Sequence, residues 1–431
     1  EILSGLVGSE MCIRDRARIM HTSDWQLGMQ RHYLSAEAQS RFDESRLSTI
    51  EKLLELAREK ECDAVVVAGD VFDNNLLKPE IYGRAIDVLK GSAVPVFLLP
   101  GNHDPLDAAS VYHREEFDEL TNVFVLKDTQ PIAVPNSDGA HEGNVTLEIV
   151  GAPLQGKSAE QDLVAAALSG LEPIEGAGIR VLVGHGGVSS FGEKDDLDCI
   201  DVDNAAQACR DRKVDYVALG DTHSTMPLDA DGTQARVWYS GAHEATAFVD
   251  EDGRGESNSG NVLVVDIAVD PARPEQQAQV QVEEIPVGGW TLRAVAATVN
   301  STEDIDEFLG RLEAIEAKRT TVIKYSLEGM LSVHDAAYLD ERVAKLKPTF
   351  AALYERDRSM DVHVIPDEDE LSEGLLGQGF IGEAAHELKA IAEIKSKDPE
   401  QVRKSQCAQD ALRLLVRLAK HAEKGLSLIH I

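Results

Sequence analysis

Short apolar runs rich in β-branched residues alternate with helical segments along the first two thirds of the chain. The runs RIMHTSD, DAVVVAG and VPVFLLP are separated by helical patterns, and the alternation continues through IRVLVGH, VDYVALGD and NVLVVDI. Strands that alternate with helices usually form parallel sheets with helices on the outside. The sequence therefore predicts an α/β fold with two sheets and flanking helices over residues 17–287.

The remaining chain divides into smaller segments. Residues 288–366 read as a β-α-β-α-β domain, in which one helix begins near Ser301 and places Ile305, Phe308 and Leu312 on one face. Residues 367–379 are predicted to be an acidic linker. Residues 380–424 carry two amphipathic stripes that predict a helical hairpin, which either packs on the body of the protein or binds a partner.

The two ends do not resemble the rest of the chain. Residues 1–16 and 425–431 are interpreted as non-native tails and are left out of the fold prediction. On this interpretation the native C-terminus extends beyond residue 424.

Composition limits the classes of function. The 42 Lys and Arg residues against 76 Asp and Glu residues give a net charge of −34, which argues against broad attraction to nucleic acid but allows a local basic strip or a basic partner.

The five cysteines have no metal-ligand spacing, which argues against a disulfide framework or a thiolate zinc site. Because no apolar run is long enough to cross a bilayer and no signal peptide is evident, we expect no membrane association and a cytoplasmic location.

Polar motifs follow the ends of five predicted strands. They contain the candidate site residues Asp24, Gln26, Asp70, Asp73, Asn102, His103, His185, Asp221 and His223. Open α/β sheets place ligand-binding groups at the carboxyl ends of their strands. Carboxylate and amide oxygens suit hard divalent ions, and imidazoles suit manganese, iron or zinc. GD and GH dipeptides occur by chance, and a lone GNHD could be a turn, but the ordered set predicts a binuclear metal site.

This ordered set resembles the calcineurin-like metallophosphoesterase superfamily, whose pattern is DxH, GDxxD, GNH[DE], GH and GHxH. The segments HTSDWQLG, GDVFD and PGNHD resemble in particular the SbcD-type bacterial DNA repair exonucleases. The resemblance implies a four-layer α-β-β-α core, a small α+β capping domain and a C-terminal helical segment. It also implies hydrolysis of phosphate esters with two divalent metal ions.

The resemblance implies that Asp24 and His223 hold one metal ion and that Asp70 bridges to the other. Gln26 stands where the family has a metal-binding histidine. Its amide oxygen is a weaker ligand than imidazole, so this ion is expected to be held more loosely.

By the same resemblance, Asn102, His185 and the position of Asp221 hold the second ion. Asp221 stands where the first histidine of GHxH is expected. Both departures replace nitrogen by oxygen and therefore favour Mn²⁺, or alternatively Mg²⁺.

The resemblance also implies catalytic roles for two residues near the metals. His103 would stand beside the scissile phosphate as general acid or charge stabiliser, and Asp73 would support the site.

The predicted function is that of a metal-dependent DNA exonuclease or endonuclease subunit that hydrolyses phosphodiester bonds in double-strand-break or hairpin repair. The resemblance implies DNA and an SbcC-type, SMC-like ATPase as partners, with the helical hairpin as candidate docking element and a homodimer as a further expectation. Two alternatives stay open: a small-substrate phosphodiesterase or phosphatase of the same superfamily, and a non-catalytic scaffold subunit that is inactive because of Gln26 and Asp221.

Overall fold

The computed structural model describes residues 15–135, 147–188, 198–229, 234–365 and 379–392, together with scattered residues between 394 and 415. The chain divides into two compact units, Glu1–Leu292 and Arg293–Ile431. The predicted acidic linker lies outside the described residues except for Gly379, and so do residues 1–14 and 416–431.

The first unit contains two mixed sheets and five helices within its described residues. In chain order its elements are β1 (Asp15–Thr22), α1 (Ala36–Glu59), β2 (Ala64–Val67), α2 (Pro79–Lys90), β3 (Val96–Leu98), α3 (Glu115–Asp118), β4 (Val123–Val125), β5 (Ile132–Ala133), β6 (Leu147–Gly151), α4 (Leu163–Ser169), β7 (Ile179–His185), α5 (Val202–Arg210), β8 (Tyr216–Gly220), β9 (Met226–Pro227), β10 (Val237–Tyr239), β11 (Asn261–Val269) and β12 (Gln279–Pro286). The strand orders are β12-β11-β1-β2-β3-β4 and β5-β6-β7-β8-β10-β9.

Alternating side chains of the strands build the layers of this unit. In β2, Val65 and Val67 pack in a core with α1 and α2, whereas Ala64 and Val66 pack between the two sheets. The outer face of the second sheet packs against α4 and α5. Because successive side chains of a strand point to opposite faces, both faces of each central sheet are buried. The predicted four-layer α-β-β-α architecture is confirmed.

Strand β1 starts earlier than the sequence suggested. Asp15 and Arg16, which were assigned to the N-terminal tail, pair with Val269 and Ala268 of β11. The antiparallel partner therefore extends the strand beyond the proposed boundary at residue 17.

The second unit has a separate apolar core. Its elements follow from β13 (Thr291–Val299), which crosses the unit boundary, through α6 (Thr302–Glu313), β14 (Thr321–Ser332), α7 (Val333–Leu346), β15 (Ala352–Glu355), β16 (Asp361–Ile365) and α8 (Gly379–Ala392). The predicted apolar face of α6 is buried in this core through Ile305, Phe308 and Leu312. The sequence predicted one final strand, but two short strands, β15 and β16, pair with different parts of the long β14.

The described part of the C-terminal helical segment packs within the second unit. Ala385 of α8 and Leu412 form a small apolar cluster with Met330 of β14. Phe380 and Leu414 stay exposed at 80% and 47%. The segment therefore buries one apolar stripe on its own unit and leaves other apolar side chains accessible.

Among the described residues, no helix combines the length and the apolar character needed to cross a membrane.

Candidate metal centre

The candidate residues converge because both sheets end at the same place. Asp24 follows β1, Asp70 follows β2 and Asn102 follows β3 in the first sheet, while His185 ends β7 and Asp221 follows β8 in the second. A bridge between Ser23 and Ala242 links the segments that follow β1 and β10.

Four of these residues have left-handed backbone conformations. The φ angles are 52° at Asp24, 42° at Gln26, 53° at Asp70 and 100° at Asp221. This region is unfavourable for residues with a side chain, and such strain often clusters at functional sites. Tertiary contacts must therefore hold these loops in place.

At two glycines, side chains of the site occupy the space that a Cβ atom would fill. A Cβ atom on Gly101 would overlap the Asp70 carboxylate, and one on Gly69 would overlap the His185 ring. Close approach of backbone and functional side chain explains why these two motif positions require glycine.

Asp24, Gln26 and His223 form the first half of the centre. His223 Nε2 lies 3.6 Å from Asp24 Oδ1 and 3.3 Å from Gln26 Nε2. Asp24 Oδ1 and Gln26 Oε1 are buried and have no hydrogen-bond partner among the described residues. Buried oxygens without donors are costly, and a bound cation would satisfy both. This donor set fits a divalent metal ion.

His185 is the centre of the second half. Its Nδ1 donates to the Ala68 carbonyl at 2.7 Å, and this bond turns Nε2 toward the other candidate ligands. From Nε2 the distances are 3.4 Å to Asp70 Oδ1, 3.3 Å to Asn102 Oδ1 and 3.8 Å to Asp221 Oδ1. The buried residues Asp24, Asp70 and His185 offer ligand atoms that all lie within 4.8 Å of one another. This grouping could hold a metal ion.

The charges in the cluster depend on one another. Burial alone would lower the pKa of His185, but the carboxylates of Asp70, Asp24 and Asp221 raise it well above its ordinary value. Burial raises the pKa of Asp24, whereas the neighbouring histidines outweigh burial at Asp70 and lower its pKa. Without metal, the imidazolium of His185 therefore offsets part of the carboxylate charge.

His103 stands at the open edge of the cluster, with its side chain 44% exposed. Its backbone N–H donates to Asp70 Oδ1 at 2.9 Å, and its Nδ1 donates to the carbonyl of Asp73 at 2.9 Å. Its Nε2 lies 4.0 Å from Asp70 Oδ2. The Asp73 contact runs through the backbone carbonyl, while the Asp73 carboxylate accepts from the adjacent Asn74 at 3.3 Å.

A family model described as "Calcineurin-like phosphoesterase" matches residues 17–225, the part of the chain that contains all of these motifs. Residues 17–225 are a calcineurin-like phosphoesterase domain. The resemblance predicted from the motifs is confirmed.

Relatives of this chain include a nuclease subunit and a DNA double-strand break repair protein. The chain is 28% identical over 271 residues to a subunit of the nuclease SbcCD of Escherichia coli (strain K12), covering 56% of this chain and 63% of that protein. It is 27% identical over 225 residues to "DNA double-strand break repair protein Mre11" of Sulfurisphaera tokodaii, covering 50% of this chain and 51% of that protein. The chain thus spans less than two thirds of either relative.

A solved structure of TT1561 from Thermus thermophilus matches at 12% identity with a TM-score of 0.35. The match covers 63% of this chain and 100% of that chain.

Sequence reasoning assigned no role to Asp104, which organises the GNHD loop of the phosphoesterase domain. Its buried carboxylate accepts from the backbone N–H groups of Gly101 at 2.8 Å and Phe72 at 3.0 Å, and from the Tyr112 hydroxyl at 2.6 Å. Burial, with the nearby charge of Asp70, raises the pKa of Asp104 to about 6. Asp104 is the last residue of the GNHD motif, and this position was the sequence signal that could have identified it.

Arg46 of α1 is a second supporting residue that the sequence did not reveal. Its buried guanidinium donates to the carbonyls of Trp25 at 2.7 Å and Asp24 at 3.2 Å. Burial lowers the pKa of Arg46 to about 10. These bonds hold the loop that carries Asp24 and Gln26, but an arginine within an amphipathic helix gives no sequence signal for such a role.

A buried carboxylate lies behind His223. Thr246 Oγ1 contacts His223 Nδ1, and Glu256 Oε2 lies 3.5 Å from the same nitrogen. Burial would raise the pKa of Glu256, but hydrogen bonds from His223 and Thr246 help to hold it below its ordinary value. Glu256 lies in a glycine-rich turn and was not among the predicted site residues.

Proposed function

We propose that this protein is a metal-dependent DNA exonuclease or endonuclease subunit that hydrolyses phosphodiester bonds in double-strand-break or hairpin repair. The observation that carries the proposal is the buried cluster of Asp24, Asp70 and His185, with two buried oxygens lacking donors, inside a calcineurin-like phosphoesterase domain. The names of the relatives in Escherichia coli and Sulfurisphaera tokodaii support DNA as the substrate.

Two divalent ions, preferentially Mn²⁺, are proposed as cofactors. Asp24, Gln26 and His223 would hold one ion, and Asp70 would bridge to the other. Bound ions of this kind polarise the phosphate and lower the pKa of the attacking water.

Asn102, His185 and Asp221 would hold the second ion, since their ligand atoms face one another. Oxygen donors at Gln26 and Asp221, in place of the family's histidines, support a preference for hard ions such as Mn²⁺ or Mg²⁺.

His103 is proposed to act on the substrate directly. Its Nδ1 is fixed by the Asp73 carbonyl, which leaves Nε2 at the exposed edge of the cluster. From there the protonated ring can give a proton to the leaving oxygen or stabilise its charge.

The proposed partners are DNA and an SbcC-type ATPase. The C-terminal helical segment is proposed as the docking element, and its exposed Phe380 and Leu414 leave apolar surface accessible to a partner. A homodimer and a cytoplasmic location belong to the same proposal.

A small-substrate phosphodiesterase is the second candidate. The net charge of −34 disfavours approach to a polyanion and suits a small ester better. A scaffold without activity is the third candidate, since Gln26 and Asp221 replace expected histidine ligands.

The deciding experiment compares two substrates with the full chain. A labelled linear duplex and bis(p-nitrophenyl) phosphate are incubated with Mn²⁺, Mg²⁺ or chelator, beside Asp70→Ala and the exposed-carboxylate control Asp118→Ala. Duplex degradation that requires metal and Asp70, and not Asp118, is the expected result. Cleavage of the small ester alone would replace the proposal by the phosphodiesterase, and near-zero metal content after dialysis against Mn²⁺ would favour the scaffold.

A further inference from the structure

Glu256 has hydrogen-bond donors on both of its carboxylate oxygens. Its Oε1 accepts the Thr246 N–H at 2.7 Å, and its Oε2 accepts the Ala247 N–H at 2.7 Å and the Thr246 hydroxyl at 2.6 Å. The side chain is 3% exposed. A carboxylate with several such donors in a buried place is favoured in its charged form and can only accept hydrogen bonds.

The hydroxyl of Thr246 has one hydrogen, which the bond to Glu256 uses. At its contact with His223 Nδ1 this oxygen must therefore accept. Glu256 Oε2, 3.5 Å from the same nitrogen, can also only accept. Two acceptors thus converge on Nδ1, which requires a hydrogen on that nitrogen.

The other nitrogen of the neutral ring is then left with a lone pair. His223 Nε2 faces Asp24 Oδ1 at 3.6 Å and the Gln26 amide nitrogen at 3.3 Å. An amide N–H can donate to this lone pair, so the Gln26 contact agrees with the same tautomer. The opposite tautomer would place a hydrogen where a metal ion would bind.

We propose that Glu256, through Thr246, fixes His223 in the tautomer with hydrogen on Nδ1 and so keeps Nε2 ready to bind metal. The inference rests on the proposed metal site at Asp24 and His223. Glu256 is a positioning residue, because it touches neither the substrate nor the metal. Carboxylates behind metal-binding histidines orient the ring and increase its basicity.

The tautomer can be measured without any metal. The full chain with ¹⁵N-labelled histidine is studied by NMR in chelator at alkaline pH, where the ring is neutral, and His223→Gln assigns the signal among the 13 histidines. We expect a protonated Nδ1 and an unprotonated Nε2. A neutral ring with hydrogen on Nε2 would overturn the proposal.

The Glu256→Gln variant tests whether Glu256 determines the tautomer of His223. The amide keeps the shape but puts a donor next to Thr246, which frees the hydroxyl to donate to His223 Nδ1. We expect the ring to shift toward hydrogen on Nε2, and Mn²⁺ affinity at one of two sites, measured by calorimetry, to fall about 10–100-fold.

Two control variants isolate this effect. Thr246→Ser keeps the hydroxyl, and Glu283→Gln removes a carboxylate that pairs with Lys60 at the surface. Both should keep the wild-type tautomer and affinity. Wild-type tautomer and affinity in Glu256→Gln would overturn the proposal. A wild-type chain with the expected tautomer but no nuclease activity would instead count against the proposed function alone.

Discussion

At the residue scale, buried hydrogen bonds hold the strained backbone around the candidate metal centre in place. Asp24, Gln26, Asp70 and Asp221 have positive φ, which costs roughly 1–2 kcal/mol for each residue. Hydrogen bonds from Arg46 to the loop after β1 offset part of this cost. A buried arginine that is not itself a candidate ligand therefore helps to determine where the candidate ligands lie.

Changing His103 to Gln should separate catalysis from metal binding. The ring is 44% exposed and stands at the edge of the cluster, so the fold and the metal content should change little. Loss of a general acid typically lowers kcat about 10²–10⁴-fold. Ester hydrolysis and metal analysis of the purified variant test this, and a variant that has lost its metal would contradict the role given to His103.

Changing Asp104 to Asn should destabilise the domain. The carboxylate accepts three hydrogen bonds, and an amide would set a donor against at least one of them. We expect a loss of about 1–3 kcal/mol in the free energy of unfolding, measured with urea. Tyr112→Phe removes one donor only and should cost about 1 kcal/mol, so a larger loss in Tyr112→Phe than in Asp104→Asn would contradict this account.

At the element scale, β1 connects the two sheets through a buried histidine. His21 Nε2 donates to the Leu219 carbonyl of β8 at 3.1 Å, which leaves Nδ1 to accept from the Tyr216 hydroxyl at 3.0 Å. His21 is fully buried between these partners. The ring must remain neutral to make both bonds.

The free energy of unfolding should therefore depend on pH through His21. Burial lowers the pKa of His21 from 6.5 to about 3. Between these values the unfolded chain binds a proton that the folded chain does not, so stability falls as pH falls through this range. One such group contributes up to about 1.4 kcal/mol per pH unit.

Urea unfolding in chelator at a series of pH values measures this dependence. His21→Gln should flatten it, whereas the exposed His32→Gln should not. Burial also lowers the pKa of His243, so the dependence should decrease rather than vanish. An unchanged slope in His21→Gln would show that His21 is not a source of the acid sensitivity.

At the scale of the whole molecule, net charge governs the approach to DNA. With a net charge of −34, the chain and a DNA duplex repel each other at long range. A local contact with DNA must work against this repulsion, or a basic partner must screen it. The proposed activity on DNA should therefore be sought under conditions that screen this repulsion.

Duplex cleavage by the chain alone should rise with moderate salt. Between about 0.01 M and 0.15 M ionic strength the Debye length shrinks from about 30 Å to about 8 Å, which screens the repulsion. Cleavage of bis(p-nitrophenyl) phosphate, which carries little charge, should change much less. A steep fall of duplex cleavage with the logarithm of salt would instead indicate a basic DNA path with counterion release.

Local patterns in the sequence were enough to predict the class of fold and the candidate ligands. Alternating strands and helices predicted the layered α/β core, because hydrophobic periodicity is a local property. The motifs at strand ends predicted Asp24, Asp70 and His185, because glycine and ligand residues stand next to each other in the chain.

The residues that support these candidate ligands could be identified only from the folded chain. Arg46 and Glu256 are far from their partners in sequence, and no local pattern connects them to Asp24 or His223. The pairing of both β15 and β16 with β14 likewise depends on register along a long strand. Contacts of this kind arise from the packing of distant segments, and a single sequence does not show which distant segments meet.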